Sequence, residues 1–272
     1  MKELDDITSK CSEVKALAKG GQKSVLSAIH PEYGKVVIKF GEYRSINSIE
    51  RIKREVELLK ELNSMYYPKH YEFIIDDENR EFLIIEECID GKELSEYASV
   101  FSEATSILGL IQNLVKGLNI IWSKNVIHRD IKPANILIKS DGLPVIIDLG
   151  IARFLDKASL THSIAPRGPA TPIYAAPEQL RNRKPMIGVR TDFFLLGILA
   201  LELYHGFHPF DPRKVGNNSN IVDNIINGIY LHPKSSNNTF NGFIEGVLKV
   251  HPYQRFRLPQ NLADHLGIKL TS

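Results

Sequence analysis

The stretch VIHRDIKPANILIKSDGLPVIIDLG, from Val126 to Gly150, places the tightest limits on what this chain can fold into. Two short apolar, β-branched runs, Ile136-Leu137-Ile138 and Val145-Ile146-Ile147, flank Ser140-Asp141-Gly142-Leu143-Pro144. This pattern reads as a hairpin whose turn carries Asp-Gly. Asp130, Lys132 and Asn135 precede its first strand and Asp148 follows its second. Both ends of one rigid platform therefore offer acid, base and amide groups to the same edge, a set suited to metal-bound phosphate.

The run His128-Arg129-Asp130-Ile131-Lys132-Pro133-Ala134-Asn135, followed by Asp148-Leu149-Gly150 and then Ala176-Pro177-Glu178, resembles a known set of motifs. It matches the catalytic loop, metal-binding turn and Ala-Pro-Glu element of the eukaryotic-like serine/threonine protein kinases. Each piece is weak alone, and the order and spacing, from about Val14 to Leu266, carry the resemblance. It implies an α+β, bilobal fold. Residues 1–88 would form a small antiparallel-sheet lobe with one helix, and residues 89–272 a mainly helical lobe. ATP and Mg2+ would lie between the two.

Composition narrows the remaining classes. The formal net charge of +2 arises from 34 basic and 32 acidic residues spread along the chain, so nothing in it calls for a nucleic-acid or membrane-surface partner. The start, Met1-Lys2-Glu3-Leu4-Asp5-Asp6, is too acidic for a signal peptide, and no uninterrupted apolar run approaches the ~18 residues of a spanning helix. A cytoplasmic protein is expected. Cys11 and Cys88 are far apart and lack metal-ligand spacing, which fits small, partly buried apolar residues in a reducing compartment.

Residues 13–40 read as strands over Val14–Ala18, Ser24–Ile29 and Lys35–Phe40, with a turn at Gly20-Gly21. A glycine turn can lay backbone N–H groups over phosphates, because no Cβ holds the backbone away. If Val25 takes the valine place of the kinase glycine loop, its three glycine places fall on Ala18, Gly20 and Lys23, with Gly21 as an extra. A ligand-free hairpin turn is the competing reading, and Lys23 is either a phosphate contact or a solvated cation. Val36-Val37-Ile38-Lys39 matches the third-strand Val-Ala-Ile-Lys. By itself such a lysine is usually a snorkelling edge residue. Ile49, Ile52, Val56, Leu59 and Leu62 mark an amphipathic helix, and the resemblance pairs Lys39 with Glu55 on it, Glu57 and Glu61 being the alternatives.

Glu72–Ile75 and Glu81–Glu86 read as a second hairpin turned at Asp76-Asp77-Glu78-Asn79. Glu87-Cys88-Ile89-Asp90-Gly91 resembles the hinge, where the Glu87 carbonyl and Ile89 amide would read adenine. Val25, Val37 and Leu137 would line the same nucleotide site. That match puts Glu86 at the border of the adenine pocket, where a carboxylate needs a partner, while a one-residue shift would put Ile85 there. Leu94–Lys124 reads as helix, with Ile107, Leu110, Ile111, Leu114, Leu118 and Ile121 as a core stripe that Trp122 continues.

By the resemblance, Asp130 accepts or orients the proton of the substrate hydroxyl, Lys132 neutralises the transferring phosphoryl group, and Asn135 and Asp148 hold Mg2+. His128 would be structural. Arg129 would meet a phosphorylated residue among Ser159, Thr161 and Ser163, and Thr171 would be a structural contact of Asp130 and Lys132 or else a phosphosite. Leu149 stands where phenylalanine is usual. Glu178 would pair with Arg255, and Asp192 would cap a helix and brace the catalytic loop. Lys132 and Thr171 imply a protein substrate with a serine or threonine acceptor, the chain itself in trans included. The alternatives are a nucleotide-binding scaffold without activity, favoured by the poor glycine loop, and a small-molecule kinase, disfavoured by the Thr171–Glu178 element.

Overall fold

The computed structural model of the chain describes residues 2–19, 24–43, 45–97, 100–149, 153–154 and 173–270; of Glu55 only the backbone is described. It divides into two units, Met1–Asp90 and Gly91–Ser272.

The first unit opens with helix α1 (Lys2–Lys10), which the sequence pattern does not announce, and continues through β1 (Ser12–Lys19), β2 (Ser24–His30) and β3 (Gly34–Glu42). Helix α2 (Ile46–Glu61) and strands β4 (His70–Asp76) and β5 (Glu81–Glu87) complete it. The strands form one antiparallel sheet in the order β1-β2-β3-β5-β4. Because side chains alternate across a strand, each sheet face gathers its own core. Val36, Ile38, Leu83 and Ile85 share one face with Ile7 of α1, while Phe82 and Ile84 meet Ile49, Ile52 and Val56 of α2 on the other. The expected apolar stripe of α2 is buried. The β4–β5 turn is closed by the Asp76 carboxylate, which accepts from the Glu78 and Asn79 backbone N–H groups at 3.0 Å and from Asn79 Nδ2 at 2.6 Å. Those bonds draw its pKa below the usual value.

In the second unit, β6 (Gly91–Glu93) pairs with β8 (Ile136–Lys139), which pairs with β9 (Pro144–Ile146), giving a three-stranded sheet; the two-residue strand β7 (Val126–Ile127) pairs with β10 (Arg153–Phe154). A Cβ on Gly91 would lie 2.8 Å from the Ile138 carbonyl oxygen, so only glycine lets β6 approach β8 this closely. Gly142 takes φ +82° in the Asp-Gly turn, as the hairpin reading requires.

The helices of this unit are α3 (Ala104–Trp122), the short α4 (Pro177–Leu180), α5 (Val189–His205), α6 (Pro212–Val215), α7 (Ile221–Asn227), α8 (Asn238–Val247) and α9 (Pro259–His265). The helical pattern expected over Leu94–Lys124 is shorter in fact: Leu94–Tyr97 is a 3-10 turn, and Glu103, extended at φ −93° and ψ 139°, marks where the α-helical hydrogen-bond ladder begins. Ile107, Ile111, Leu114, Leu118 and Ile121 of α3 are buried, with α5, α8 and α9 as its neighbours. Length and composition alone would let α3 cross a membrane, although polar Gln112, Asn113, Lys116 and Asn119 interrupt it. Helix α5 is apolar on nearly every side and runs through the core, which is the usual place for such a helix.

Candidate active site

Strand β7, wholly buried, delivers the chain to His128 at the floor of the loop. Asp192 anchors the backbone there. Its Oδ2 accepts from the His128 N–H at 2.9 Å and from Trp122 Nε1 at 2.8 Å, and its Oδ1 accepts from the Arg129 N–H at 2.8 Å. Burial raises the Asp192 pKa, and these donors oppose that rise. Asp192 thus braces the loop as expected but does not cap α5. The N-cap is Gly188, and Asp192 sits inside the first turn with its carboxylate turned to the loop. The tryptophan contact was not legible beforehand, since an apolar stripe hides a single N–H.

His128 is fully buried, and burial lowers its pKa against the pull of Asp192, Asp130 and Asp148. Its Nδ1 accepts from the Asp130 N–H at 3.3 Å. A buried, neutral ring engaged with the loop backbone fits a structural part rather than a base. Arg129 takes φ +71° and Asp148 φ +66°, left-handed values unusual for residues with a Cβ. Such conformations gather at functional sites, where the surrounding structure holds them.

The loop residues converge on one carboxylate. Asp130 Oδ2 accepts from Lys132 Nζ at 2.8 Å and from Asn135 Nδ2 at 2.9 Å, while Asn135 Nδ2 also donates to the Asp130 carbonyl at 2.8 Å. No described residue donates to Asp130 Oδ1. Lys132 and Asp130 remain partly exposed, so both can meet a solute. Because Nδ2 of Asn135 is spent on Asp130, its Oδ1 is the atom left for a cation. Asn135 Oδ1 and the exposed Asp148 carboxylate are hard oxygen ligands of the kind Mg2+ takes alongside phosphate oxygens and water. The residues therefore fit the ion. Ile147 leaves the β8–β9 ladder, earlier than its apolar pattern implied, and donates its N–H to the Asn135 carbonyl at 2.9 Å. That bond ties the approach to Asp148 onto the loop that carries Asn135. Leu137 lies between them on β8, half-buried and paired with Val145.

Glu178 and Arg255 form the expected ion pair, bidentate at 2.8 and 2.9 Å with both side chains fully buried. Gln179, to which nothing in the sequence drew attention, donates from Nε2 to the Arg129 carbonyl at 3.0 Å and accepts the Ala176 N–H at 2.9 Å. It links α4 to the catalytic loop.

In the first unit, register places Val25 opposite Lys39 and Val37 opposite Glu86, so these four side chains share the α2 face of the sheet. Ile85 points to the other face and is fully buried there, so of the two only Glu86 shares a face with Lys39. The partner that Glu86 requires is Lys39, with Nζ to Oε2 at 2.6 Å. The expected pairing of Lys39 with Glu55 falls on a side chain outside the described residues, so Glu86 is a partner found in addition to that expectation. Only strand register could reveal it. Glu87 ends β5 with its N–H donated to the Lys69 carbonyl at 2.8 Å, and Ile89, two residues on, is half-buried. Gly20, Gly21, Lys23, Ser159, Thr161, Ser163 and Thr171 also lie outside the described residues.

A protein kinase domain family model matches residues 11–266. The serine/threonine-protein kinase TIO of Arabidopsis thaliana is 29% identical over 241 residues, which cover 87% of this chain and 17% of the plant protein. Calcium-dependent protein kinase 5 of Plasmodium berghei is 32% identical over 222 residues, covering 79% of this chain and 37% of that protein. The serine/threonine-protein kinase pakH of Dictyostelium discoideum is 30% identical over 261 residues, 93% of this chain and 48% of its own length. The chain thus spans less than half the length of these relatives.

Proposed function

Because the chain belongs to the protein kinase domain family, we propose that it transfers the γ-phosphoryl group of ATP to serine or threonine side chains of proteins, its own activation segment included. The observation that carries this reading is the convergence of Lys132 and Asn135 on one oxygen of Asp130, with no described residue donating to the other. Phosphoryl transfer asks a protein mainly to position reactants and neutralise charge. Asp130 Oδ1 would accept or orient the proton of an incoming hydroxyl. Lys132, held on Oδ2, brings a cation to the phosphoryl group as it passes. Asn135 and Asp148 would hold Mg2+, which when bound offsets the charge of the ATP phosphates. Lys39 would meet the α- and β-phosphates, and the backbone at Glu87 and Ile89 the adenine edge. The hydroxyl acceptor is supported by Lys132 and by the serine/threonine kinase names of the relatives.

Incubation with labelled ATP and Mg2+, with and without a generic basic protein, tests the reading. Label should appear on protein and should fall by about 100-fold or more in Asp130→Asn, the scale of a lost general base. Mass spectrometry should find phosphate on Ser159, Thr161 or Ser163 that is absent from Asp130→Asn. Intact nucleotide binding without label on any protein would support the scaffold reading instead, and label on small molecules alone would support the small-molecule kinase.

A further inference from the structure

The pairing of Lys39 with Glu86 raises a question that the catalytic loop does not answer. A buried ion pair is weak evidence for stability, because apolar residues of similar volume often serve the fold as well. Side-chain exposure is 12% for Lys39 and 3% for Glu86, and their strands β3 and β5 are adjacent, interior members of the sheet. Val37 stands opposite Glu86 and Lys39 opposite Ile84, so the two charged side chains are diagonal neighbours on one face, within reach across the ladder. The carboxylate is not used up by the protein: Glu86 Oε1 is buried without a hydrogen-bond partner among the described residues. His70, opposite Glu86 on β4, is in the same position at both ring nitrogens. Among the described residues, Lys39 is thus the ion-pair partner of Glu86.

We propose that Glu86 is a positioning residue for Lys39, orienting the ammonium toward nucleotide phosphates from within the sheet itself. The inference rests on the nucleotide-binding role proposed for Lys39. A lysine side chain is long and rotamer-rich, and burial without a counter-ion disfavours its charged form. Glu86 removes both obstacles before ligand arrives, taking one of three ammonium donors. Binding is favoured when ordering is done in advance. The repulsion between the Glu86 carboxylate and phosphate opposes this, while the charge-assisted bond at 2.6 Å keeps the ammonium charged and fixed in place.

Titration calorimetry with ATP and with adenosine separates the phosphate contribution from the base contribution. Glu86→Leu, and Glu86→Gln as the near-isosteric control for folding, should weaken ATP roughly tenfold, the scale of one charge-assisted hydrogen bond, and change adenosine by less than about threefold. In a Lys39→Met background, Glu86→Leu should have no further effect on ATP. Equal losses for both ligands would assign Glu86 to reading the base and overturn the proposal. So would unchanged or tighter ATP binding, or a full additional loss in the Lys39→Met background. Because the readout is binding, a chain that binds ATP yet transfers nothing would sink the kinase reading and leave this inference to stand or fall by its own numbers.

Discussion

Among the described residues, the Arg255–Glu178 and Lys39–Glu86 ion pairs are both largely withdrawn from solvent, and their surroundings differ. Arg255 and Glu178 saturate one another and their neighbours. The guanidinium also donates to the carbonyls of Lys249, Arg190 and Val250, and Glu178 Oε1 accepts from Thr191 Oγ1. The guanidinium further lies over the Phe194 ring at 4.6 Å. Burial lowers the Arg255 pKa while Glu178 opposes that shift. Lys39 and Glu86 meet through one oxygen, and the other oxygen has no described donor. A saturated network fixes backbone segments to one another, whereas at Glu86 one buried acceptor is left without a described donor.

The sharpest way to break this contrast is on the saturated pair. Arg255→Met should cost about 3–5 kcal/mol in urea unfolding, the usual result of stranding a buried charge. Adding Glu178→Leu should recover less than half, because three carbonyls and the Thr191 hydroxyl still lose their partner. Full recovery would show that the pair is only a charge pair.

Histidines offer a second test along the same line. His208 is bonded at both nitrogens, Nε2 to the Ile173 carbonyl at 3.2 Å and Nδ1 from the Phe210 N–H at 3.4 Å, and burial lowers its pKa to about 4. Between about pH 6.5 and 4 the unfolded chain therefore binds a proton that the folded chain refuses. Stability should be intact above that window and fall by about 3 kcal/mol across it as pH drops. His208→Phe should be less stable at pH 7 yet lack this acid slope. A slope that survives the substitution would place it on another group. Burial also lowers the pKa of His70, while Glu86 opposes the shift, so His70→Phe should flatten a smaller part of the same curve.

The smallest expected effect is on the Lys39–Glu86 pair. Lys39→Met combined with Glu86→Leu removes both charges and should change unfolding free energy by less than about 1 kcal/mol, while phosphoryl transfer is lost. A loss near that of Arg255→Met would mean that both pairs serve the fold.

What the sequence made readable was local chemistry. The hairpin around Asp141-Gly142 and the order of Asp130, Lys132, Asn135 and Asp148 lie within one stretch of chain. Turn preference and apolar alternation are short-range, so they survive in a linear reading. The stripe of α2 was legible for the same reason. The extent of α3 was not, because the apolar residues at Leu94 and beyond continue the periodic pattern where the backbone is not yet α-helical.

By itself, then, the sequence determined which groups lie together along the stretch from Asp130 to Asp148. Only tertiary structure decided their partners: Glu86 for Lys39 through strand register, Asp192 for the loop backbone together with Trp122, and Gln179 as the link between α4 and Arg129. The physical reason is distance along the chain. A carboxylate states that it needs a donor, but which donor comes within ~3 Å depends on how strands pair and helices pack, and one residue of register would have turned Glu86 to the opposite face.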